Sequence, residues 1–503
     1  MGKQMTASAG APINDVKWAK INWDHARSEV RRLQMHIAKA TMQSNWGKVK
    51  SLQHLLSSSF YAKLLAVKRV TSNKGKKTPG IDGVLWKGAR AKMQAVLSLR
   101  RRGYQPLSLR RIYIPKKNGK MRPLSIPCIL DRAMQALYKL ALSPVAETVA
   151  DRNSYGFREC RSCADAIAAA FNALSKPNST TWVLEADIAG CYDNISQEWM
   201  LKYIPMDPVV LRKWLQAGYI ENDKLYPSRK RTPQGGIISP TLANLTLDGL
   251  VRVVRNAVPH RSRVNFVRYA DDFIITGKSK HLLEMTVKPV VEKFLEDRGL
   301  SLSPEKTKIT HIKNGFTFLG QHFRKNGRTL HITPAKEGVL SPKSKVGELI
   351  RKHVGSPLAG LVMRGETRSP ELNQTLRGWG NYRRHVVSSE AFSQIDTYVF
   401  EQLWRMIRRR HRKKSKKWLT HNYWSFTKRR WMFTVKGKTK KGPCVYQVIR
   451  LSSLGIKRYT KIKADANPYY PKYAAYIWLR KTHKIPRHLP ALSARGHRAL
   501  KAN

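Results

Sequence analysis

The chain has 503 residues, with 95 Lys and Arg against 32 Asp and Glu, a formal charge of +63. Self-repulsion on that scale destabilises a compact state, which argues against an ordinary enzyme of small-molecule metabolism. A hydrophobic share of 42% with 13 Trp, 19 Tyr and 13 Phe argues equally against basic disorder. A long polyanion is the expected partner, nucleic acid first.

In chain order, MGKQMTASAGAPINDVKW lacks the apolar core of a signal peptide. Gly2 and Thr6 fit the loose myristoylation pattern, which is common by chance. No apolar run is long enough to span a bilayer, so no membrane partner is expected. Val30, Leu33 and Ile37, then Val49, Leu52, Leu56 and Phe60, recur at helical spacing and predict two or three helices over 17–70. SNKGKKTPGIDG (72–83) reads as a loop. RRIYIPKKNGKMRPLSIP (110–127) predicts a β-hairpin turning at Asn118-Gly119. Helices are expected from Asp131 towards Ala150 and over Ser162–Leu174, then an apolar strand Thr181–Ile188. RVNFVRYADDFII (263–275) predicts two short strands meeting at Ala270-Asp271-Asp272, followed by a helix Leu282–Arg298. Phe392, Ile395, Val399, Leu403 and Ile407 form a helical stripe that ends in RRRHRKKSKK.

Five cysteines make no disulfide framework and suggest a reducing compartment. Cys160 and Cys163 form C-x-x-C without a second ligand pair nearby, and His411 and His421 lie in basic sequence, so no zinc site is expected. Residues 401–503 hold 29 Lys and Arg and two acids, a surplus of +27. They are interleaved with Trp404, Trp418, Tyr423, Trp424, Phe426 and Trp431, which read either as base-stacking aromatics or as core beneath a solvated face.

In so basic a chain the acids within apolar strands carry the information. Asp187 ends WVLEAD, and Asp271 and Asp272 sit at a hairpin tip. Adjacent carboxylates repel unless a cation lies between them. Nucleotidyl transfer needs such a cluster: two Mg²⁺ ions about 3.5–4 Å apart, held by hard oxygen ligands, activate a 3′-hydroxyl and stabilise departing pyrophosphate. The bland alternative is a pair of turn acids neutralised by Arg268.

Tyr269-Ala270-Asp271-Asp272 resembles the Y-x-D-D box of reverse transcriptases. ADIAGCYDNI (186–195) resembles their first palm motif, TPQGGIISP (232–240) their P-Q-G…S-P motif, and GFTFLG (315–320) their F-L-G strand. These motifs stand in the family's order over about 130 residues. IPKKNGKMRPLSIP, TPGIDG, SYGFR…RS, Leu376–Tyr382 and RRRHRKKSKKW resemble group II intron-encoded proteins, over about residues 17–485, closest to the bacterial members related to chloroplast introns.

The resemblance implies an α+β right-hand polymerase. Fingers and a palm with an antiparallel sheet would span 81–335, after a helical RNA-binding extension over 1–80. A helical thumb or maturase domain would span 336–425, a small basic DNA-binding region 426–485 and a basic tail 486–503. It implies Asp187, Asp271 and Asp272 as catalytic metal ligands, with the Ile188 carbonyl adding a ligand, for two Mg²⁺. Lys116 and Arg122 would contact the triphosphate of the incoming dNTP, and Gln234 would lie near it. Tyr192 would exclude a 2′-hydroxyl, and Lys306 would protonate the leaving pyrophosphate. Asp193 is expected to make a structural hydrogen bond. Arg377, Trp379 and Tyr382 of the thumb, with Arg408, Arg409, Arg410, Arg412, Lys413 and Lys414, would bind nucleic acid.

The implied partners are the intron RNA in a ribonucleoprotein, target DNA and primer, and dNTPs, in the bacterial cytoplasm and at the nucleoid. Two departures stand out. Cysteines replace small residues at 160 and 163, and no cysteine follows 485, so the HNH endonuclease of many relatives is expected to be absent, with retrohoming primed by another DNA end. The alternatives are a splicing-only RNA-binding maturase and a reverse transcriptase recruited to phage defence. The intact acids speak against the first, and the GWGNY thumb and basic tail against the second.

Overall fold

A computed structural model describes residues 18–115, 119, 121–222, 224–227, 235–352, 372–427, 430–439 and 442–482. Three helices open the chain: Trp23–Met42, Trp46–Ser58 and Phe60–Ser72. Asn22 and Asn45 cap the first two, their side-chain oxygens accepting from the N–H groups of His25 and Lys48 at 3.0 Å. The apolar stripes bury Val30, Ile37, Val49, Leu56, Leu64, Val67 and Val70 against helix Ile129–Val149. The Gln34 side chain donates to the Leu140 carbonyl at 2.8 Å and so ties the first helix to it.

In chain order the strands are β1 (Leu109–Pro115), β2 (Met121–Ile126), β3 (Trp182–Ala186), β4 (Tyr219–Glu221), β5 (Lys224–Tyr226), β6 (Asn265–Tyr269), β7 (Asp272–Gly277) and β8 (Lys308–His311). After them come β9 (Phe316–Phe318), β10 (Gln321–Asn326), β11 (Thr329–Pro334), β12 (Trp424–Thr427), β13 (Arg430–Thr439) and β14 (Gly442–Gln447). The predicted hairpin is β1–β2, paired antiparallel with Ile114 opposite Arg122, in a sheet of order β2-β1-β4-β5. The central sheet has the order β6-β7-β3-β8, antiparallel throughout. Helices pack on it because its strands alternate little: Val183, Leu184, Phe266, Val267, Phe273, Ile274 and Ile275 are all buried.

The expected helix Leu282–Arg298 divides into a wide π turn, Leu282–Val287, and an α-helix, Lys288–Glu296. Pro289 lacks an N–H, and its ring would strike the carbonyl four residues back in a regular α-helix; the wider turn removes that conflict. Further on lie helices Lys336–Lys352, Leu372–Arg383, Ser389–Arg410, Lys416–Tyr423 and Ala474–Thr482.

Packing runs across the expected 80/81 and 425/426 divisions. One core joins the N-terminal helices to the helices around the central sheet. A second joins Val339, Leu376, Phe392, Ile395, Leu403 and Leu419 to Trp424, Phe433, Val435, Val448 and Leu451. Trp424 is therefore core, and Trp404, Trp418 and Tyr423 pack against it. Phe426 and Trp431 instead stay 61% and 51% exposed, ring edge to ring face with centroids 5.4 Å apart.

The C-terminal segment returns across helix Cys163–Leu174. The fully buried Asp165 carboxylate accepts from the Ser162 N–H (2.9 Å), the Tyr459 hydroxyl (2.9 Å), the Ile462 N–H (2.7 Å) and Arg480 (2.6 Å). Farther along, the Tyr469 hydroxyl donates to Glu159 at 2.7 Å, and the Arg31 guanidinium lies 4.5 Å from the Tyr469 ring centre. The chain's last described stretch thus reaches its first helix. All five cysteines are free thiols. No helix among the described residues is long and apolar enough to cross a membrane.

Asp131 is buried in the first turn of helix Ile129–Val149. Burial pushes its carboxyl up to about 6, outweighing the bonds it accepts from the Tyr104 hydroxyl (2.7 Å) and the Leu107 N–H (3.3 Å). A carboxyl raised in the fold withdraws stability as pH rises from its unfolded value near 4 to its folded value near 6, and nothing further above that. Thermal melts of wild type and Asp131→Asn should therefore show the wild-type advantage shrinking between about pH 4 and 6, then staying level.

Candidate active site

The central sheet places the acids. β3 pairs with β7, Ala186 opposite Phe273, so the next register position sets Asp187 beside Asp272. β6 and β7 join through the two-residue turn Ala270-Asp271, Tyr269 opposite Asp272. Ala270 takes a left-handed φ of +59° to make that turn. Three carboxylates from two distant segments thereby meet at one corner of the sheet.

Their electrostatics follow from crowding. Burial, then the charge of Asp187, raises the Asp271 carboxyl; Lys306 and Arg122 oppose this. Desolvation, then Asp271 and Asp187, pushes Asp272 up to about 7, and Asp272 shares a hydrogen bond with Asp187. Lys306 hangs on the same residue twice. The Ser303 N–H donates to the Asp187 carbonyl at 2.8 Å, closing the turn that carries Lys306. The Lys306 ammonium then donates to the Asp187 carboxylate, and that pairing raises its pKa. The side chain stays largely exposed, held only at its tip.

Arg122, exposed on β2, lies close enough to stabilise ionised Asp271. Tyr192 stands in the short helix Cys191–Asn194, entered through left-handed Gly190 (φ +52°). Its hydroxyl is raised by burial and then by the charge of Asp271. Ile188 bridges to Leu302 immediately after Asp187. Lys116 and Gln234 lie outside the described residues. The glycine after Gln234 sits against β2: a Cβ on Gly235 would come 2.2 Å from the Ser125 carbonyl oxygen.

The hairpin is held from below by residues that motif reasoning missed. Arg268 is 0% exposed and pairs with Asp248, not with Asp271 or Asp272. It also donates to the Asn244 side chain at 3.3 Å. Asn244 and Asp248 are four residues apart at the end of helix Ser239–Leu247, a spacing that sets both on one helix face and could have flagged them. Burial, then the neighbouring Cys163 thiol, raises the hydroxyls of Tyr269 and Tyr382. Tyr382 donates onward to the Leu319 carbonyl at 2.9 Å. Tyr382 is thus partly committed to this joint. Trp379 is turned onto Phe392 and donates its N–H to the Gly338 carbonyl at 3.0 Å. Arg377, Arg408, Arg409, Arg410, Arg412, Lys413 and Lys414 are exposed. Four of these, Arg408, Arg409, Arg412 and Lys414, line a hollow of about 410 Å³ with Arg405, His411 and Lys416.

As they stand, no three His, Cys, Asp or Glu side chains among the described residues form a ready-made coordination shell. The donor set nevertheless fits a hard cation: crowded carboxylates hold protons against their usual range, and an ammonium already occupies Asp187.

The matching family models are "Reverse transcriptase (RNA-dependent DNA polymerase)" over 114–323, "N-terminal domain of reverse transcriptase" over 18–99 and "Group II intron, maturase-specific domain" over 341–424. With the antiparallel sheet and its acids, they define a right-hand RNA-directed DNA polymerase. The chain belongs to the family of group II intron-encoded reverse transcriptases with a maturase domain. It is similar to protein YkfC of Escherichia coli, 32% identical over 52% of this chain and 80% of that one. It is 30% identical to the group II intron-encoded protein LtrA of Lactococcus lactis, over 54% of this chain and 56% of that one. An uncharacterized 91 kDa protein in the cob intron of Schizosaccharomyces pombe is 25% identical over 67% of this chain and 51% of that one. The chain thus spans about half the length of the latter two.

Arg268→Met should destabilise the fold by about 3–5 kcal/mol in urea titrations, because Asp248 is left buried without its partner. An effect below 1 kcal/mol would show that the pair does not hold the hairpin.

Proposed function

We propose that the protein copies intron RNA into DNA and, as a maturase, holds that RNA in its splicing-competent fold. The reading rests above all on one observation: Asp187, Asp271 and Asp272 converge with Lys306 and Arg122 at one corner of the sheet. Asp187, Asp271, Asp272 and the Ile188 carbonyl would hold two Mg²⁺ ions. When bound, the ions supply charge neutralisation at the attacking 3′-hydroxyl and at the departing pyrophosphate.

The chain's own groups do the rest. Arg122 and Lys116 would receive the triphosphate; Arg brings a planar donor fork and Lys a point charge. Gln234 lies beside the incoming dNTP. Tyr192 closes the sugar side, where its ring meets a 2′-hydroxyl. Lys306 would give its proton to the departing pyrophosphate oxygen as that oxygen gains charge; pairing with Asp187 raises its pKa and keeps it protonated until then.

RNA is held by the N-terminal helices and by the exposed basic rim of the thumb, Arg377 and Arg408 to Lys414. Target DNA and primer meet the remaining basic surface, and the protein works in the bacterial cytoplasm and at the nucleoid. Splicing chemistry stays with the RNA. The products serve splicing, reverse splicing and retrohoming.

Primer extension on an RNA template tests the polymerase half. Asp271→Ala/Asp272→Ala should lose Mg²⁺-dependent cDNA synthesis by at least about 10³-fold while intron RNA binding, measured by filter retention, stays within about twofold. Lost RNA binding in a folded double variant would mean that the acids serve structure; no cDNA from wild type would leave a splicing-only RNA-binding protein. Tyr192→Ala should raise ribonucleotide incorporation relative to dNTP in the same assay. An unchanged ratio would remove Tyr192 from sugar selection.

A further inference from the structure

One strained aromatic stands beside the catalytic hairpin without a role in the account above. The segment Asn153–Arg158 is laced to β6: the Arg268 N–H donates to the Asn153 carbonyl and the Tyr155 N–H to the Arg268 carbonyl, both at 2.9 Å. The Asn244 side chain donates to the Gly156 carbonyl at 2.8 Å. A Cβ on Gly156 would come 2.3 Å from the Ala270 nitrogen, so this backbone abuts the turn that carries Asp271. Phe157 follows in the left-handed region, at φ +56°, with its side chain 56% exposed. A bulky side chain is strained there. Such strain persists only where the surroundings enforce it, and it concentrates at functional sites.

The ring borders a cavity of about 650 Å³. Lys68 and Arg69 from helix Phe60–Ser72 and Lys139 from helix Ile129–Val149 line it, opposite Gly236, Ile237 and Pro240. No carboxylate among the described residues lines it. The acids nearest Lys139 in influence are committed elsewhere: Glu147 pairs with Arg158 at 2.8 Å, and Glu159 accepts from Tyr469 at 2.7 Å. An exposed aromatic face, clustered cations and contact with the catalytic turn are together the chemistry of a single-stranded nucleic acid site. The triphosphate side of the acids is already marked by Arg122, whereas this cavity is walled by helices Phe60–Ser72 and Ile129–Val149. The strand that fits there is the one being copied.

We propose that Phe157 is a positioning residue for the template strand: an unpaired template base beside the catalytic turn stacks on its ring, while the adjoining phosphates lie on Lys68, Arg69 and Lys139. The inference rests on the polymerase reading and adds a subsite to it. Stacking accepts any base, as a template site must. Burial and the neighbouring Arg69 lower Lys139, a condition that a phosphate relieves.

The test uses the full chain and an RNA template–primer with 2-aminopurine at the first unpaired template position, without dNTP. Wild type should quench the fluorophore several-fold by stacking; Phe157→Ala should lose the quench, and Phe157→Trp should keep it. In primer extension, Phe157→Ala should raise the template–primer KM roughly tenfold with kcat within about twofold. Phe157→Gly serves as the folding control: relief of the left-handed strain should raise Tm, yet the quench should still be lost. Unchanged quench and KM in folded Phe157→Ala would overturn the proposal. A wild type that quenches through Phe157 but extends no primer would sink the polymerase reading and leave the strand site standing.

Discussion

Repulsion among three carboxylates is the constraint on which this structure turns. Asp187 opposes the ionisation of Asp271, and both oppose that of Asp272, so Asp271 and Asp272 on their own would swing to solvent or take a proton. The β3–β7 register denies them that freedom. A shift of one residue along β3 would send Asp187 to the opposite face of the sheet. The apolar faces of Leu184, Phe273 and Ile275 therefore keep the acids together as much as any polar contact does.

Because the hairpin must resist that repulsion, its underside is unusually polar. Arg268, buried in the sheet, pairs with Asp248 and touches Asn244. Asn244 holds Gly156, and Gly156 abuts Ala270. The Cys163 thiol couples Tyr269 to Tyr382, and Tyr382 reaches Leu319. Central sheet and maturase-specific domain are thus joined close to the acids, so the position of that domain and the acid geometry are not independent. The joint is closed on the outside by the segment anchored on Asp165, which carries the chain from Tyr459 to Arg480.

The charge excess of +63 divides into two kinds of cation. Arg132, Arg158, Arg161, Arg268 and Arg383 are turned inward, where they satisfy carbonyls and carboxylates that water cannot reach. The exposed run from Arg408 to Lys414 has solvent before it and is the share available to a polyanion. A count of basic residues cannot separate the two, because an arginine is equally positive in either setting.

The amino-acid sequence by itself determined the local elements and the identity of the chemistry. Helical periodicity marked the N-terminal helices and Ser389–Arg410, continuous apolar runs marked β3, β6 and β7, and motif order marked Asp187, Asp271 and Asp272. Those features are encoded within a few residues of themselves. Tertiary structure alone decided what depends on distant partners: Arg268 taking Asp248 in place of the neighbouring acids, Trp424 sinking into a core while Trp431 stays exposed, and Phe157 held out beside the catalytic turn. Such contacts join segments up to several hundred positions apart, as Arg31 and Tyr469 do. The charge that opened the reading named a polyanion; packing decided which of the 95 basic side chains can meet it.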